Sequence, residues 1–332
     1  MLMKRLTSIP ALQMMANIIR EDIITSLQEA KSGHSAGPLG MADIFTALYF
    51  NVLEHNPRNP AWEGRDRMVL SNGHICPVLY ATMANAGYFP KKELFTLRKF
   101  GSRLQGHPHR ESLPGLETTS GPLGSGLAQA AGMASGLRLD GKKNVVFCAC
   151  SDGEQDEGNH WEAVMFAAKN KLGNLIAITD RNYIQIDGNT EQIMPLDPLD
   201  EKYKAFNWDV KVINGNNMKE VLATLQQARA RSSTATKPLM IIAKTTPGKG
   251  VDYMENDYRW HGAPPGTLKT ERAPALDRQA AVALEEIHAH EVEERGNWYH
   301  SHFKFKPLHE MKKELKVKNV DKKTVGTGRK KR

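Results

Sequence analysis

Four short strand-like segments alternate with helical segments between residues 145 and 244 of the chain. The strand-like segments are VVFCAC (145–150), NLIAITD (174–180), DVKVI (209–213) and PLMIIAK (238–244). HWEAVMFAAKNK (160–171) separates the first two, and residues 217–231 follow the third with helical spacing of apolar positions. Strands that alternate with helices of about 10–15 residues predict βαβ units. The chain is therefore expected to have an α/β fold built on a mostly parallel sheet.

Glycine- and histidine-rich loops precede this regular part of the chain. Residues 11–30 and 41–53 have the spacing of amphipathic helices, and the loop KSGHSAGPLG (31–40) lies between them. A further strand, RMVLS (67–71), leads into Asn-Gly-His and then into the helical segment 75–87. We therefore expect several polar loops to border the sheet.

Composition excludes several classes of protein. The 332 residues are 40% hydrophobic and 25% charged, which is typical of a globular chain. The apolar runs are far shorter than the roughly 20 residues that span a bilayer, so no membrane contact is expected. The N-terminal segment, interrupted by Glu21 and Asp22, predicts an amphipathic helix and not an export signal. Three cysteines without a CxxC pair indicate neither a disulfide framework nor a zinc site, and they favour a cytoplasmic protein.

The net charge of +8 is concentrated near one end of the chain. Residues 303–332 contain 12 Lys and Arg against 3 Asp and Glu, so the other 302 residues carry a net charge of about −1. We interpret this segment as a solvated, flexible tail, and contact with a partner subunit or a polyanion is the alternative. Nucleic acid is not favoured because Phe303 and Phe305 are nearly the only side chains there that could stack on bases.

Polar residues follow two neighbouring predicted strands. SDG (151–153) comes directly after one strand, and DRN (180–182) ends the next. Ligands bind beyond the carboxyl ends of parallel strands, and the oxygens of Asp152 and Asn182 are ligands that Mg²⁺ prefers. Gly153 would let the backbone approach a phosphate closely. Ordinary Asp-Gly and Asn turns are an alternative explanation of these residues.

These residues belong to a longer set of motifs. SDGEQDEGNHWEA (151–163), followed by KLGNLIAITDRNYIQIDG (171–188), resembles the thiamine diphosphate fingerprint of the transketolase family, with Ser151 in place of the usual glycine. Four segments resemble the histidine loops of the family, in the family order: SGHSAGPLGMADIFTALYF (32–50), LSNGHICPVLYA (70–81), GHPHRESLPGLETTSGPLGSGLAQAAGMA (106–134) and WHGAPP (260–265). The resemblance covers about residues 10–265. It implies a three-layer α/β/α thiamine diphosphate-binding fold with a mostly parallel central sheet.

The resemblance also implies the cofactors, which are thiamine diphosphate and Mg²⁺ or another divalent cation. The implied metal ligands are Asp152, the Asn182 side chain and the Ile184 backbone carbonyl. The implied diphosphate contacts are Gly153, His74 and His261. The turn GPLG (121–124), through Gly121 and Leu123, would lie against the aminopyrimidine. Glu157 would lie near the subunit interface, whereas a favourable position at a helix N-terminus suffices to explain Glu162.

Three histidines are implied as catalytic residues that face the sugar: His34, His107 and His261. The implied reaction transfers a two-carbon ketol unit from a ketose, expected to be phosphorylated, to an aldose through a thiamine-bound dihydroxyethyl intermediate. Proton removal from a hydroxyl suits imidazole, which titrates near neutrality. His109 stands where the family generally has Glu, so here the sequence departs from the family pattern and the resemblance assigns this residue no role.

Full-length members of the family are about twice as long as this chain. Their second domain carries the glutamate that activates the cofactor and the arginines that hold sugar phosphates, and no strand pattern after residue 275 could build it. We expect residues 1–275 to form the diphosphate- and metal-binding domain and residues 276–332 a charged helix with a basic tail. A C-terminal transketolase subunit with the pyrimidine-binding domain is then the expected partner, in an α₂β₂ assembly. Phosphate recognition is expected on that partner and not on the body of this chain.

Two other functions remain open. One is a thiamine diphosphate enzyme that acts on a 2-oxo acid, and the other is a non-catalytic assembly or regulatory paralogue. The four-histidine set argues against the first, because such side chains serve polyhydroxylated substrates.

Overall fold

A five-stranded sheet lies at the centre of the computed structural model, which describes residues 5–295 and 308–312. Its strands are β1 (Arg67–Leu70), β2 (Val146–Ser151), β3 (Leu175–Arg181), β6 (Asp209–Asn214) and β7 (Leu239–Lys244), and the small hairpin β4 (Ile184–Gln185) and β5 (Gly188–Asn189) stands apart. The order in the sheet is β1-β2-β3-β7-β6, and all four pairings are parallel. The expected parallel sheet is therefore confirmed.

Helices cover both faces of this sheet. They are α1 (Ile9–Ala30), α2 (Ala36–Gly40), α3 (Ala42–Ala47), α4 (Cys76–Ala86), α5 (Ser125–Leu139), α6 (Gly158–Lys169), α7 (Thr190–Ile193), α8 (Leu199–Ala205), α9 (Met218–Arg231) and α10 (Gln279–Arg295). Side chains of α1, α3, α4 and α9 form one apolar cluster, and those of α5, α6 and α8 form a second. The short helices α2, α7 and α8 and the hairpin were not anticipated from the periodicity, which needs longer segments to be distinct.

Successive side chains of β2 point alternately into the two apolar clusters. Val146, Cys148 and Cys150 belong to the cluster on the α5 and α6 side, while Phe147 and Ala149 belong to the cluster on the α1 side. Successive side chains of a strand point to opposite faces, so one strand supplies both cores. This arrangement confirms the three-layer α/β/α fold, with both cysteines of the strand fully buried.

Two glycines of α5, Gly132 and Gly136, lie on an open side of the helix. A Cβ built on either residue would meet no atom within 4 Å. Within the described residues, this stripe of the helix faces outward.

Part of the C-terminal region packs back onto the first helix. α10 contacts α1, and Leu308 is fully buried with its N–H donating to Asp22 Oδ1 at 2.8 Å. Of the predicted solvated, flexible tail, residues 303–332, the structure describes only 308–312, and the buried Leu308 there differs from the expectation. The remaining residues of the tail lie outside the described part of the chain. In the part of the chain that the structure describes, no helix combines the length and apolar character needed to cross a bilayer.

Candidate active site

Two strand ends and the loops that follow them form the first part of the site, which we call the carboxylate end: Asp152, Asp180 and Asn182. The parallel register pairs Ser151 of β2 with Asp180 of β3, so the two polar loops begin side by side. Asp152 is fully buried, and its Oδ1 and Oδ2 accept hydrogen bonds from the N–H groups of Gly153 and Tyr183, each at 2.8 Å. These bonds hold the carboxylate in one orientation.

Asp180 and Asn182 hold each other in place. Asp180 accepts hydrogen bonds from the Thr245 hydroxyl and from Asn182 Nδ2, the latter at 2.9 Å. Asn182 Oδ1 accepts the Ile184 N–H at 3.0 Å. The Asp180 carboxylate can only accept and the Ile184 N–H can only donate, so the Asn182 amide satisfies both in one orientation alone. The structure thus brings together the three residues predicted as metal ligands, Asp152, Asn182 and Ile184.

Burial dominates the protonation of the two carboxyl groups. It raises the pKa of Asp152 to about 6, although Arg181 and the N–H groups of Tyr183 and Gly153 oppose the effect. It raises the pKa of Asp180 to about 7, with a further contribution from the charge of Asp152. Two neighbouring buried carboxylates and an amide oxygen are hard donors with excess negative charge, which a bound divalent cation would offset.

Space beside these donors also suits a phosphorylated ligand. A Cβ built on Gly153 would meet only Gln185, at 3.6 Å, so the backbone there is open to close approach. The residues present therefore fit Mg²⁺ and a diphosphate group.

A buried arginine that the sequence analysis did not identify braces the carboxylate end. Arg181 donates to Asp152 Oδ2 at 3.2 Å and to Thr190 Oγ1 at 3.0 Å. It also forms ion pairs with Glu191 and with Asp197, the latter at 3.1 Å. Its guanidinium group lies 4.1 Å from the centre of the Tyr183 ring. A charged residue at the end of a fully buried strand is the signal that such partners must exist.

Glu154 is a second residue that the sequence analysis missed. It is buried and accepts hydrogen bonds from the Ser71 hydroxyl, from the Ser151 N–H at 2.9 Å and from the Gly124 N–H at 3.3 Å. The Ser151 hydroxyl also donates to it, at 3.1 Å. Ser151 can therefore replace the usual glycine because its hydroxyl has a partner.

The second part of the site, which we call the histidine end, consists of His34, His74, His107 and His261. The ring centres of the first two lie 5.1 Å apart, and that of His261 lies 5.5 Å from His34 and 5.1 Å from His74. The Nδ1 atoms of His34 and His261 are buried and have no hydrogen-bond partner among the described residues. The structure thus brings three distant loops of the sequence together.

His107 lies at the exposed side of this cluster. A Cβ built on Gly73, the residue before His74, would lie 3.2 Å from His107 Cδ2. Asn72 lies just before that glycine, and its fully buried side-chain amide has no partner among the described residues. The asparagine was not singled out from the sequence, where it resembles a turn residue.

The histidines are neutral at physiological pH. Burial lowers the pKa of His34 to about 3 and that of His261 to about 4, and it holds the pKa of His74 well below the ordinary value. The pKa of His107 is lowered too, first by burial and then by Arg98. A neutral imidazole has one donor and one acceptor nitrogen, so this group of rings can both donate to and accept from sugar hydroxyls.

The turn GPLG joins the two ends of the site. Gly121 and Gly124 have φ of 140° and 78°, which favour glycine, and a Cβ on Gly124 would lie 2.7 Å from Glu157 Cβ. A Cβ on Gly121 would lie 3.9 Å from His107 Cβ. Leu123 and Glu157 are exposed on this turn and at the start of α6.

Comparison with known proteins places these features in context. A family profile described as "Transketolase, thiamine diphosphate binding domain" matches residues 11–280. The chain is 41% identical over 250 residues to the 6-deoxy-6-sulfo-D-fructose transketolase subunit SqwG of Clostridium sp., a match that covers 75% of this chain and 90% of that protein. It is 38% identical over 265 residues to a subunit of the apulose-4-phosphate transketolase of Phocaeicola vulgatus, covering 80% and 93% respectively.

Solved structures agree with these sequence relatives. The transketolase of Campylobacter jejuni superposes with a TM-score of 0.73 at 34% identity, covering 86% of this chain and 48% of that one. The Pichia stipitis transketolase in complex with sedoheptulose-7-phosphate has a TM-score of 0.72 at 30% identity, covering 86% and 44%. The chain thus spans about half the length of the solved transketolases and nearly all of the two subunits.

Proposed function

This chain belongs to the transketolase family, and from that premise we propose that it is the diphosphate-binding subunit of a two-component transketolase. The enzyme transfers a two-carbon ketol unit from an anionic ketose to an aldose, with thiamine diphosphate and Mg²⁺ as cofactors. The observation that carries the proposal is the match over 90% of one transketolase subunit, combined with the convergence of three histidine rings from separate loops, those of His34, His74 and His261. Residues 1–275 are proposed as the cofactor-binding domain.

The carboxylate end is proposed to hold the cofactor. Asp152, Asn182 and the Ile184 carbonyl would bind Mg²⁺, and Gly153, His74 and His261 would contact the diphosphate. Thiamine diphosphate, when bound, supplies the electron sink for cleavage of the bond next to the ketose carbonyl. This chain would then position the cofactor and surround it with hydrogen-bond donors that are already oriented.

The histidine end is proposed to handle the sugar. His34, His107 and His261 are neutral, so each can accept a hydrogen bond from a sugar hydroxyl. The expectation of imidazoles that titrate near neutrality is not met in the unliganded chain, because burial makes His34 and His261 weaker bases, and proton removal by these rings requires a bound ligand that raises their pKa. The unpartnered Nδ1 atoms of His34 and His261 leave bonding capacity for a ligand. Neutral imidazoles next to a hydroxylated substrate suit a ketose better than a 2-oxo acid, which has no comparable hydroxyls.

A partner subunit is proposed to cover the open side of the site. Apolar side chains in the segment that follows Ile184 are exposed, among them Ile186 at 70%, Met194 at 56% and Ile193 at 47%. Exposed apolar patches of this kind mark interaction surfaces. The partner would be a C-terminal transketolase subunit with the pyrimidine-binding domain, and the assembly would be α₂β₂, with Leu123 and Glu157 near the interface.

Reconstitution tests this proposal. The full chain is purified alone and together with a candidate C-terminal subunit, and each sample is assayed with thiamine diphosphate and Mg²⁺. D-fructose 6-phosphate, 6-deoxy-6-sulfo-D-fructose and L-erythrulose serve as donors, and D-glyceraldehyde 3-phosphate serves as the acceptor. We expect ketol transfer from the pair and none from the chain alone. Release of CO₂ from pyruvate without ketol transfer would support a 2-oxo acid enzyme instead, and cofactor binding without turnover would support a non-catalytic role.

A further inference from the structure

Cys150, Glu154 and His160 come together in the interior of the chain, and we call them the Cys-Glu-His cluster. One ligand atom of each residue, a sulfur, a carboxylate oxygen and a ring nitrogen, lies within 4.8 Å of the other two. Cys150 and His160 are fully buried, and Glu154 is 1% exposed. The function proposed above gives no task to this cluster.

Hydrogen bonds around His160 fix which of its ring nitrogens carries the proton. Gln155 donates from Nε2 to the Ser151 carbonyl at 3.1 Å, so its Oε1 is the atom that faces the Tyr203 hydroxyl, at 2.9 Å. The hydroxyl therefore donates its proton to Gln155. Its oxygen then accepts the N–H of His160 Nε2, at 2.6 Å.

His160 Nδ1 is consequently a bare nitrogen in the interior. Burial lowers the pKa of His160 to about 4, so the ring is neutral and Nδ1 keeps its lone pair. This atom has no hydrogen-bond partner among the described residues. A buried polar atom without a partner is costly unless a ligand satisfies it. A neutral imidazole with a free lone pair is the form that binds transition metals.

The other two residues of the cluster suit the same kind of cation. Glu154 accepts hydrogen bonds from the Ser71 hydroxyl and from the Ser151 N–H, the latter at 2.9 Å, and ligating carboxylates are commonly oriented in this way. Cys150 Sγ makes a weak contact with Cys148 Sγ at 3.7 Å. Thiolate, imidazole and carboxylate are ligands of Zn²⁺, whereas Mg²⁺ binds oxygen.

We propose that Cys150, Glu154 and His160 bind a Zn²⁺ ion in a structural site separate from the proposed Mg²⁺ site. Binding takes the Cys150 thiolate, so its thiol proton is released to solvent. Zinc bonds of about 2.0–2.3 Å place ligand atoms roughly 3.3–3.8 Å apart, and the three residues would therefore close by about 1 Å. The fourth position is open to Cys148, because the distance between the two sulfurs already matches that of two thiolates on one zinc ion.

The place of the cluster in the chain gives the ion a role beyond the proposed function. Cys150 and Glu154 lie two residues before and two residues after Asp152. A shared ion would thus hold the end of β2 and the turn that follows it against α6, which contains His160. The spacing of the cysteines alone did not predict zinc, because two of the three ligands are not cysteines.

Metal content tests the proposal. The full chain is produced without an affinity tag in zinc-supplemented medium, because a fully buried site is filled during folding, and it is dialysed against a chelator before elemental analysis. We expect about one zinc ion per chain in the wild type and less than about a tenth of that in Cys150→Ser and His160→Gln. The matched control is Cys76→Ser, which removes a buried cysteine outside the cluster and should keep the zinc.

X-ray absorption at the zinc edge gives a second measurement, which needs no variant and decides the question if Cys150→Ser does not fold. We expect one sulfur ligand, or two where Cys148 fills the fourth position, together with nitrogen or oxygen. A shell of nitrogen and oxygen alone, a wild type without zinc, or equal zinc in wild type and Cys150→Ser would overturn the proposal. Neither measurement needs cofactor, partner or turnover, so failure here leaves the proposed function untouched, and failure of ketol transfer leaves the zinc site untouched.

Discussion

The two ends of the site differ in how far their polar atoms are satisfied. At the carboxylate end, both oxygens of Asp152 and the amide of Asn182 have partners within the chain. At the histidine end, the Nδ1 atoms of His34 and His261 have none among the described residues. One region is preorganised by its own hydrogen bonds, and the other retains bonding capacity for a ligand.

This difference has an energetic meaning. A buried polar atom without a partner costs roughly 1–3 kcal/mol, so a fold keeps such atoms where a ligand satisfies them. Preorganised groups lose little conformational freedom on binding, which favours affinity. We therefore expect the carboxylate end to bind the cofactor tightly and the histidine end to bind and release successive sugars. The following predictions test that division.

The largest effect is expected at the carboxylate end. Asp152→Ala should weaken the joint binding of thiamine diphosphate and Mg²⁺ in the assembled enzyme by more than about 100-fold, because a metal ligand is lost and its neighbours lose their orientation. Unfolding should become easier by roughly 1–3 kcal/mol, since buried Arg181 loses one of its carboxylates. Calorimetry and urea denaturation measure the two effects. The control is Asp156→Ala, an exposed carboxylate in the same loop, and unchanged cofactor affinity in Asp152→Ala would contradict the assignment.

A smaller and more selective effect is expected at the histidine end. His34→Ala should lower ketol transfer about 100-fold, within the range for a positioned proton-transfer group, while leaving cofactor affinity unchanged. Steady-state kinetics and calorimetry on the same protein check this separation. His109→Ala is the matched control, because that ring hydrogen-bonds to Ser112 at 2.9 Å instead of belonging to the cluster. Parallel losses of cofactor affinity and rate in His34→Ala would show that the two ends are not distinct.

The smallest effect concerns the pH dependence of the unliganded chain, where the two ends have opposite signs. The folded pKa values of His34 and His261, about 3 and about 4, lie below the ordinary 6.5, so their contribution to stability is present above pH 6.5 and is lost as the pH falls toward 4. The folded pKa values of Asp152 and Asp180, about 6 and about 7, lie above the ordinary 3.8. Their contribution is present below pH 3.8 and is lost as the pH rises through 7.

Each group contributes a slope of at most about 1.4 kcal/mol per pH unit to the free energy of unfolding. Between about pH 4 and pH 6.5 the two sets of groups act together and with opposite signs, so their slopes offset each other. Urea denaturation across this range measures the net slope: His34→Gln should lower the slope of the free energy of unfolding against pH, and Asp180→Asn should raise it. A change of slope in the opposite direction would show that the sign of the shift at that residue is wrong.

Local patterns predicted the residues that lie directly at strand ends. Asp152 and Asn182 follow strands that are recognisable from their composition, and the parallel sheet then places both at one edge. The glycine-rich histidine loops were identified in the same way, from motifs that are contiguous along the chain. The parallel sheet was predicted from the same alternation of strands and helices, whereas the order of its strands was not predicted.

Residues whose importance depends on distant partners could not be predicted in this way. Arg181 is important because it forms ion pairs with carboxylates on three other segments. Glu154 is important because it accepts hydrogen bonds from Ser71 and Gly124, which lie far from it in the sequence. Spacing along the chain carries no record of such contacts, because they arise when packing brings separate loops together.

The position of Arg181 also has a consequence for motion. One buried cation joins the end of β2 to the segment that contains Glu191 and to the loop that contains Asp197. None of these segments can move far without breaking a contact that the others share. Amide exchange around the carboxylate end should accordingly occur in one cooperative opening and not in independent loop fluctuations. The time that the carboxylate end remains unopened would then depend on Arg181, a side chain that is not proposed to contact the substrate.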